Sequence, residues 1–393
     1  MEDPIRKLSD KYLFSTDTVE VLREVFGGDL EKVVQSLKRP SERYFLRVNT
    51  LKTSPEELIE KIRMRSVQIY KFGPIREAVF TSITGPYEVP RVEKSIVVDK
   101  FAAESVLQGA HIYAPAVLKC SRLRLGDEVA VKDIHNQVVG VGKMRMSETE
   151  ILTFRKGLAV EVVSPIYRTV SLRETEEYRE GLIHPQSLPA MVTTRVLDPQ
   201  PGETVVDLTC SPGGKLTHIS QLMQNTGRVI GVDRNSRKIE VARNNVERLG
   251  CRNVTLLVHD ARYLDVDHPG LKADRCLIDP PCSALGVAPK LYVNISKKTI
   301  QDLSDYQKQF LKVASRIIKD DGSVVYSVCT VTKQECEDVV RYGVEKLGLR
   351  LAEQSPHLGD GGLKDFGEQT TLLQRFNPHK DGIGYFIARF TKG

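Results

Sequence analysis

The sequence contains no apolar run of about 18 residues, so nothing in it reads as a membrane-spanning helix. Its start, MEDPIRKLSD, is acidic where a secretory signal would be basic and then apolar, which makes the cytoplasm the expected location. There is no C-x-x-C pair. The seven cysteines, Cys120, Cys210, Cys251, Cys276, Cys282, Cys329 and Cys336, are an odd and sparse set for so long a chain. They do not read as a disulfide framework or a zinc site, so reduced thiols and no metal are expected. G-x-G-x-x-G and G-x-x-x-x-G-K-[ST] are missing, which turns the reading away from dinucleotide and nucleoside triphosphate sites. Neither H-x-E nor P-C-x-x-C occurs, which excludes a zinc cytidine deaminase. Low-complexity segments and repeats of roughly 20 to 50 residues are also absent.

What is present is ordinary for a globular protein. The 393 residues are 40% hydrophobic and 27% charged, close to the averages for soluble folds and enough for two or three units with cores of their own. The 57 Lys and Arg against 51 Asp and Glu give a net charge of +6. That permits a polyanionic partner without requiring one.

Along the chain, TDTVEVLREVFGGDLEKVVQSLKRP has apolar residues at helical spacing and stops at Pro40. RYFLRVNTLKTSPEELIEKIRM reads as a strand, then a helix capped by Thr53 or Ser54 with Glu56 and Glu57 in its first turn. Residues 93–170 are many short β segments, among them LRLGDEVAVKD and QVVGVGKM, the texture of a small β-barrel. From about residue 198, the apolar strands ETVVDLTC, GRVIGVD, VTLLVHD, ADRCLIDP and GSVVYSVC alternate with amphipathic helices and read as buried on both faces. RKIEVARNNVERLG places Ile239, Ala242, Val246 and Leu249 on one helical face before a stop at Gly250. The alternation predicts a doubly wound parallel α/β sheet, whose ligands bind at the carboxyl ends of the strands.

Three of those ends share a theme. The first runs into DLTCSPGGKLTH, where Gly213 and Gly214 allow close backbone approach and the following helix offers unpaired N–H groups to an anion. The second ends in Asp233, nineteen residues after Gly214, where an acid can bond ribose hydroxyls. The third ends in HDAR, which puts Asp260 where a carboxylate can accept from an exocyclic amine. Each acid alone is more simply a helix cap. In succession they outline a site for an adenosine-containing cofactor.

The fourth strand ends in CLIDPPCSALG and the fifth in VVYSVCT. These strands should be neighbours about 4.8 Å apart, so Cys282 and Cys329 should face one pocket beside Asp279. Either thiol alone would be an inert core residue. Together they fit attack on a pyrimidine: a thiolate adding at carbon 6 makes carbon 5 nucleophilic, and a second group removes the carbon 5 proton after methylation. Asp279 can bond the ring nitrogen and exocyclic amine, and Lys215 can stabilise a thiolate. This chemistry does not say which thiol attacks.

These residues closely resemble the Nop2/Sun (also called Fmu or RsmB) family of RNA cytosine carbon 5 methyltransferases. The likeness rests on RVNTLKTSPEEL, PQPGETVVDLTCSPGGKLTH, GVDRNSRKIEVARNNVERLG, HDAR, DRCLIDPPCSALG, GSVVYSVCTVTKQECEDVV and QRFNPHKDGIGYFIARF. It implies S-adenosylmethionine as cofactor, bound by Thr209, Cys210, Ser211, Pro212, Gly213, Gly214 and Lys215 of the first loop and by Asp233, Arg234, Asp260, Ala261 and Asp279. It also implies that Cys329 is the nucleophile and that Cys282 releases the product. The sequence departs from the family pattern at Thr209 and Cys210, where the loop cysteine is shifted by one, and at Cys336, where asparagine is common.

KSIVVDKFAAESVLQGAHIYAPAV with LRLGDEVAVKD and GVGKM resembles a PUA domain, a β-barrel that binds structured RNA. That likeness implies the family branch that methylates tRNA near the 3′ end of the acceptor stem, with the PUA module on the CCA end. The expected organisation is a helical segment over 1–40, an RNA-binding α+β region over 41–92 with 171–197, the PUA domain over 93–170 and a Rossmann-like methyltransferase over 198–393. Candidate phosphate contacts are Lys38, Arg39, Arg43, Arg122, Arg124, Lys132 and Arg145. The rival readings are a non-catalytic RNA-binding scaffold, an rRNA cytosine methyltransferase, and an exocyclic amine methyltransferase, which would carry an aromatic residue where Cys282 stands. No membrane and no obligate protein partner is expected.

Overall fold

The structure, a computed structural model, describes residues 3–63, 68–171 and 174–392. Met64, in the motif read as a helix after Ser54, lies outside them, as do residues 1, 2, 65–67, 172, 173 and 393 within the expected units. No helix among the described residues is long and apolar enough to cross a membrane.

The large sheet belongs to the C-terminal half. Its five parallel strands are Thr204–Asp207, Arg228–Asp233, Val254–Val258, Ala273–Ile278 and Ile318–Val328, called first to fifth below. Their order is third, second, first, fourth, fifth, followed by antiparallel Tyr385–Lys392 and then Leu349–Leu351, while Leu373–Phe376 also pairs with Tyr385–Lys392. The order reverses between the first and fourth strands, and a crevice opens there. Four of the five strands carry a continuous run of buried residues, as apolar segments flanked by helices must. The third differs from the expectation. It is the sheet's edge, and Val258 at its carboxyl end is 57% exposed.

The helix Ser236–Leu249 buries Ile239, Ala242 and Leu249 and ends at Gly250, while Val246 is only partly covered. Ser54 rather than Thr53 caps Pro55–Arg63: its hydroxyl accepts from the Glu57 N–H at 3.2 Å and the Glu57 carboxylate accepts from the Ser54 N–H at 3.0 Å. The first forty residues form three helices, Pro4–Tyr12, Thr16–Phe26 and Leu30–Leu37, cut where Leu13 turns left-handed and where Gly27 ends the second. Their apolar faces, including Leu22, Val33 and Leu37, pack on Leu285, Val293 and Val331. The N-terminal helices thus brace the segments just beyond both predicted thiols.

A small antiparallel sheet has the order Ile183–Pro185, Arg43–Val48, Ala78–Ser82, Tyr70–Lys71. A six-stranded sheet built from Ser95–Val98, Ile112–Tyr113, Val117–Lys119, Glu128–Lys132, Val138–Met144 and Leu158–Pro165 encloses its own core of Ile96, Val129, Val131 and Val160. Leu291 and Tyr292, nine and ten residues past Cys282, pack into that core. The Leu291 N–H donates to the Glu104 carboxylate at 3.0 Å, its carbonyl accepts from Gln137 at 3.2 Å, and His135 meets the Tyr292 ring at 4.6 Å. The β module is therefore fastened to the same loop that carries a thiol.

Candidate active site

The fourth and fifth strands are parallel neighbours that pair Leu277 with Val325 and Ile278 with Tyr326. Each chain leaves the sheet toward the crevice, one through Asp279, Pro280 and Pro281 to Cys282, the other directly into Cys329. The two sulfurs end 3.3 Å apart, both half-buried. Gly286 locks this turn. Its N–H donates to the Cys329 carbonyl at 3.1 Å, its carbonyl accepts from the Gly384 N–H at 2.7 Å, and a Cβ there would stand 2.0 Å from the Gly384 oxygen. Only glycine permits so close an approach.

The thiols share a proton unequally. The hydrogen bond from Cys282 lowers the pKa of Cys329, against the desolvation of its site and the charge of Asp279 and with help from the Lys215 and Lys290 ammonium groups. The same bond, together with desolvation and the Glu335 carboxylate, pushes Cys282 well above the ordinary thiol range. A lone thiol in this site would be a poor nucleophile; the pair makes Cys329 the better one.

Asp279 is held from several sides. Its Oδ2 accepts from Lys215 Nζ at 2.5 Å, its Oδ1 faces the Tyr385 hydroxyl at 3.4 Å and the Ser327 hydroxyl at 3.5 Å, and its N–H donates to Thr209 Oγ1 at 2.9 Å. Lys215 is bonded to Asp279, and from there its charge also lowers the pKa of Cys329 through space, the stabilising effect expected of it on a thiolate. Burial opposes the charge on Lys215, but Asp279 and Tyr385 raise its pKa beyond the normal lysine value. Beneath them lies Asp207, fully buried, its pKa pushed up to about 7 by burial and then by Asp279, against the bond from the Thr209 N–H and the charge of Lys215.

The proposed cofactor residues divide by what their side chains do. Gly213 is left-handed, with φ +104°, and a Cβ on it would lie 3.3 Å from Ala242 Cα. Gly214 opens the helix Gly214–Leu222, whose N-terminus has no side-chain cap, so its N–H groups are available to an anion. The Ser211 hydroxyl is buried without a hydrogen-bond partner, an orphan that a polar ligand in this loop would satisfy. Pro212 offers its carbonyl to Asn245 at 2.9 Å, which fixes the loop to the next helix. Asp233 accepts from the Asn235 N–H through Oδ1 at 2.9 Å, leaving Oδ2 for a ribose. Arg234 lies over the Tyr306 ring at 6.0 Å, and buried Ala261 lies just past the end of the third strand. These donors and acceptors suit S-adenosylmethionine, with its carboxylate at the helix end and its ribose at Asp233.

Three expected residues also have partners within the protein. Cys210 points into the core, where burial raises its thiol pKa, so only its backbone faces the loop. The Thr209 hydroxyl oxygen accepts from the Asp279 N–H. Asp260 caps the turn Ala261–Tyr263 and is gripped by the Arg262 guanidinium at 2.6 and 3.0 Å, the nearest cation to this half-buried acid. Sequence reasoning missed Asp207, Ser327, Tyr385 and Glu335. The strand Tyr385–Lys392 enters antiparallel beside the fifth strand, pairing Ser327 with Ile387, and no local signal announces that tertiary pairing.

Of the basic candidates, Arg39 and Arg43 line a groove of about 970 Å³ between the N-terminal region and the catalytic unit, with Tyr44, Phe45, Ala288 and Lys380. Lys38 is not available to phosphate. Its ammonium donates inward to the Tyr12 carbonyl at 3.1 Å and to the Leu291 carbonyl, and burial lowers its pKa to about 8. Arg145 pairs with Glu161, while Arg122, Arg124 and Lys132 lie on the β module.

Residues 194–391 match the family model described as 16S rRNA methyltransferase RsmB/F, and residues 94–166 match the PUA domain. The tRNA (cytosine(72)-C(5))-methyltransferase of Pyrococcus horikoshii is 38% identical over 96% of this chain and 97% of its own length. The human tRNA (cytosine(72)-C(5))-methyltransferase NSUN6 is 29% identical over 92% and 91%. The crystal structure of NSun6 from Pyrococcus horikoshii with SFG superposes with a TM-score of 0.88 over 97% of this chain and 99% of that one, at 38% identity. The chain therefore belongs to the Nop2/Sun (RsmB/F) family of S-adenosylmethionine-dependent RNA cytosine carbon 5 methyltransferases, in the branch that carries a PUA domain.

Proposed function

We propose that this protein methylates carbon 5 of cytidine 72 in tRNA, with Cys329 as nucleophile and Cys282 as the group that releases the product. The substrate follows the full-length relative from Pyrococcus horikoshii, whose name gives that nucleotide. The observation that carries the mechanism is the pair of sulfurs 3.3 Å apart whose pKa values are driven in opposite directions.

S-adenosylmethionine, when bound, supplies an electrophilic methyl group on a sulfonium. Cys329 as thiolate adds to carbon 6, forming a sulfur–carbon bond and moving the carbon 5–carbon 6 electron pair into the ring. Ring nitrogen 3 takes a proton from water, which Asp279 holds by a hydrogen bond, and Cys282 gives its own proton to the hydroxide left behind and becomes a thiolate. Carbon 5, now electron-rich, takes up the methyl group. Cys282 removes the carbon 5 proton, that carbon–hydrogen pair restores the double bond, and Cys329 leaves as thiolate. The nitrogen 3 proton goes to water. Lys215 fixes the orientation of Asp279 throughout, which keeps its acceptor aimed without reorganisation.

Nucleotide 72 must leave the helix to enter the crevice, at a cost of a few kcal/mol that is least at a frayed end. The groove with Arg39, Arg43 and Lys380 gives its backbone a basic path. The PUA domain, fastened to the thiol loop through Leu291, grips the acceptor stem and CCA end and acts as a spacer that sets which nucleotide reaches the sulfurs.

Transcripts carrying cytidine or uridine at position 72, incubated with methyl-labelled S-adenosylmethionine and read by bisulfite sequencing, test this. Label should enter only the cytidine transcript, at that position. Label at another cytidine, or none at all, overturns the assignment.

A further inference from the structure

Glu335 takes no part in the scheme above, yet it is fully buried and bonded to the residue that follows each thiol. Its Oε1 accepts from the Ser283 N–H at 2.8 Å and from Gln307 Nε2 at 3.0 Å. Its Oε2 accepts from the hydroxyls of Ser283 at 2.5 Å, Thr332 at 2.9 Å and Thr330 at 3.3 Å. Ser283 directly follows Cys282 and Thr330 directly follows Cys329, and their hydroxyls meet at 2.7 Å. One carboxylate thus ties together the two turns that present the sulfurs.

Every one of these donors is uncharged. A cross-link between turns could be made by a neutral side chain at lower desolvation cost, so a retained buried charge needs an electrostatic reason. The groups facing the thiol pair supply it. Lys215, Lys290 and Asp279 act on Cys329, whereas Glu335 acts on Cys282, and buried Tyr326, whose hydroxyl donates to the Glu335 carbonyl at 2.6 Å, lies against the same side. At Cys329 the two ammonium groups favour the thiolate and Asp279 opposes it, whereas at Cys282 the Glu335 carboxylate disfavours the thiolate, so Glu335 adds to the asymmetry of a pair of otherwise identical thiols.

We propose that Glu335 is a positioning residue for the reaction: its buried carboxylate clamps the turn after each cysteine and keeps the shared proton on Cys282, so that Cys329 is presented as the thiolate. This rests on the reading of Cys329 as nucleophile. It adds that the choice between two chemically identical groups is made by a third residue that touches neither substrate nor cofactor.

The test is alkylation of the full-length protein by iodoacetamide at neutral pH, with the modified cysteine located by peptide mass spectrometry. In the wild type Cys329 should react first. In Glu335→Gln, which keeps the shape and loses the charge, the ratio of Cys329 to Cys282 modification should fall at least tenfold. Melting temperature and S-adenosylmethionine binding should be retained, and kcat should drop with KM for tRNA unchanged. Glu335→Asp, whose shorter arm withdraws the charge from Ser283, should shift the ratio in the same direction by a smaller factor and serves if the glutamine variant does not fold. An unchanged ratio in a folded variant overturns the role of Glu335 alone. If the wild type reacts first at Cys282, the underlying assignment of the thiols fails instead.

Discussion

Asp207 offers a quantitative test of the electrostatics beneath the site. One ammonium, Lys215, serves two neighbouring acids, and it is bonded to Asp279, so Asp207 is left to bear its burial largely uncompensated. Its pKa is pushed up to about 7, against about 3.9 in an unfolded chain. The folded protein therefore binds more protons than the unfolded one between those values. Stability held at low pH is lost as pH rises toward 7, and nothing further is lost above it. At ~1.4 kcal/mol per unit, the two units between pH 5 and 7 amount to ~3 kcal/mol. A catalytic unit of roughly 200 residues has an unfolding entropy of ~0.4 kcal/mol per degree, so the effect is ~7 °C. Asp207→Asn reproduces the protonated shape and keeps an acceptor for the Thr209 N–H. Calorimetry of both proteins from pH 5 to 8 should show the variant's melting temperature rising relative to wild type by about that amount up to pH 7 and levelling beyond. A difference independent of pH would show that Asp207 is ionised throughout and that the electrostatic picture is wrong.

Other perturbations follow from the same geometry. Tyr385→Phe removes hydroxyl contacts to Asp279 and Ser327 and should cost ~1 kcal/mol, seen as a roughly fivefold loss in kcat with little change in melting temperature. Gly286→Ala drives a Cβ into the Gly384 carbonyl and must move one of the thiol-bearing turns; steady-state methyl transfer should fall by about 10². Arg375→Met leaves Glu337 buried without its bidentate partner and should destabilise the protein by ~3–5 kcal/mol in denaturant unfolding, while Asp233→Asn, far from that pair, should instead weaken S-adenosylmethionine binding in calorimetric titration.

The parallel sheet and the meeting of two sulfurs were legible because both depend on local pattern. Continuous β-branched runs separated by helices can only stack as neighbouring parallel strands, and residues just past the ends of such neighbours must approach. What the sequence concealed is set by tertiary partners. Lys38 looks like a surface cation until the chain brings Leu291 to it from 253 residues away. Glu335 and Tyr385 are invisible for the opposite reason. Each is an ordinary residue in its own segment and gains meaning only from the turns and strands that converge on it.

The central claim is that Cys329 forms a bond to the cytosine ring and Cys282 is needed to break it. The direct measurement is a denaturing gel of protein mixed with tRNA and S-adenosylmethionine. Cys282→Ala should accumulate a covalent protein–RNA band while turnover stops, whereas Cys329→Ala should give neither band nor product. A band that persists in Cys329→Ala and is absent from Cys282→Ala would contradict the account.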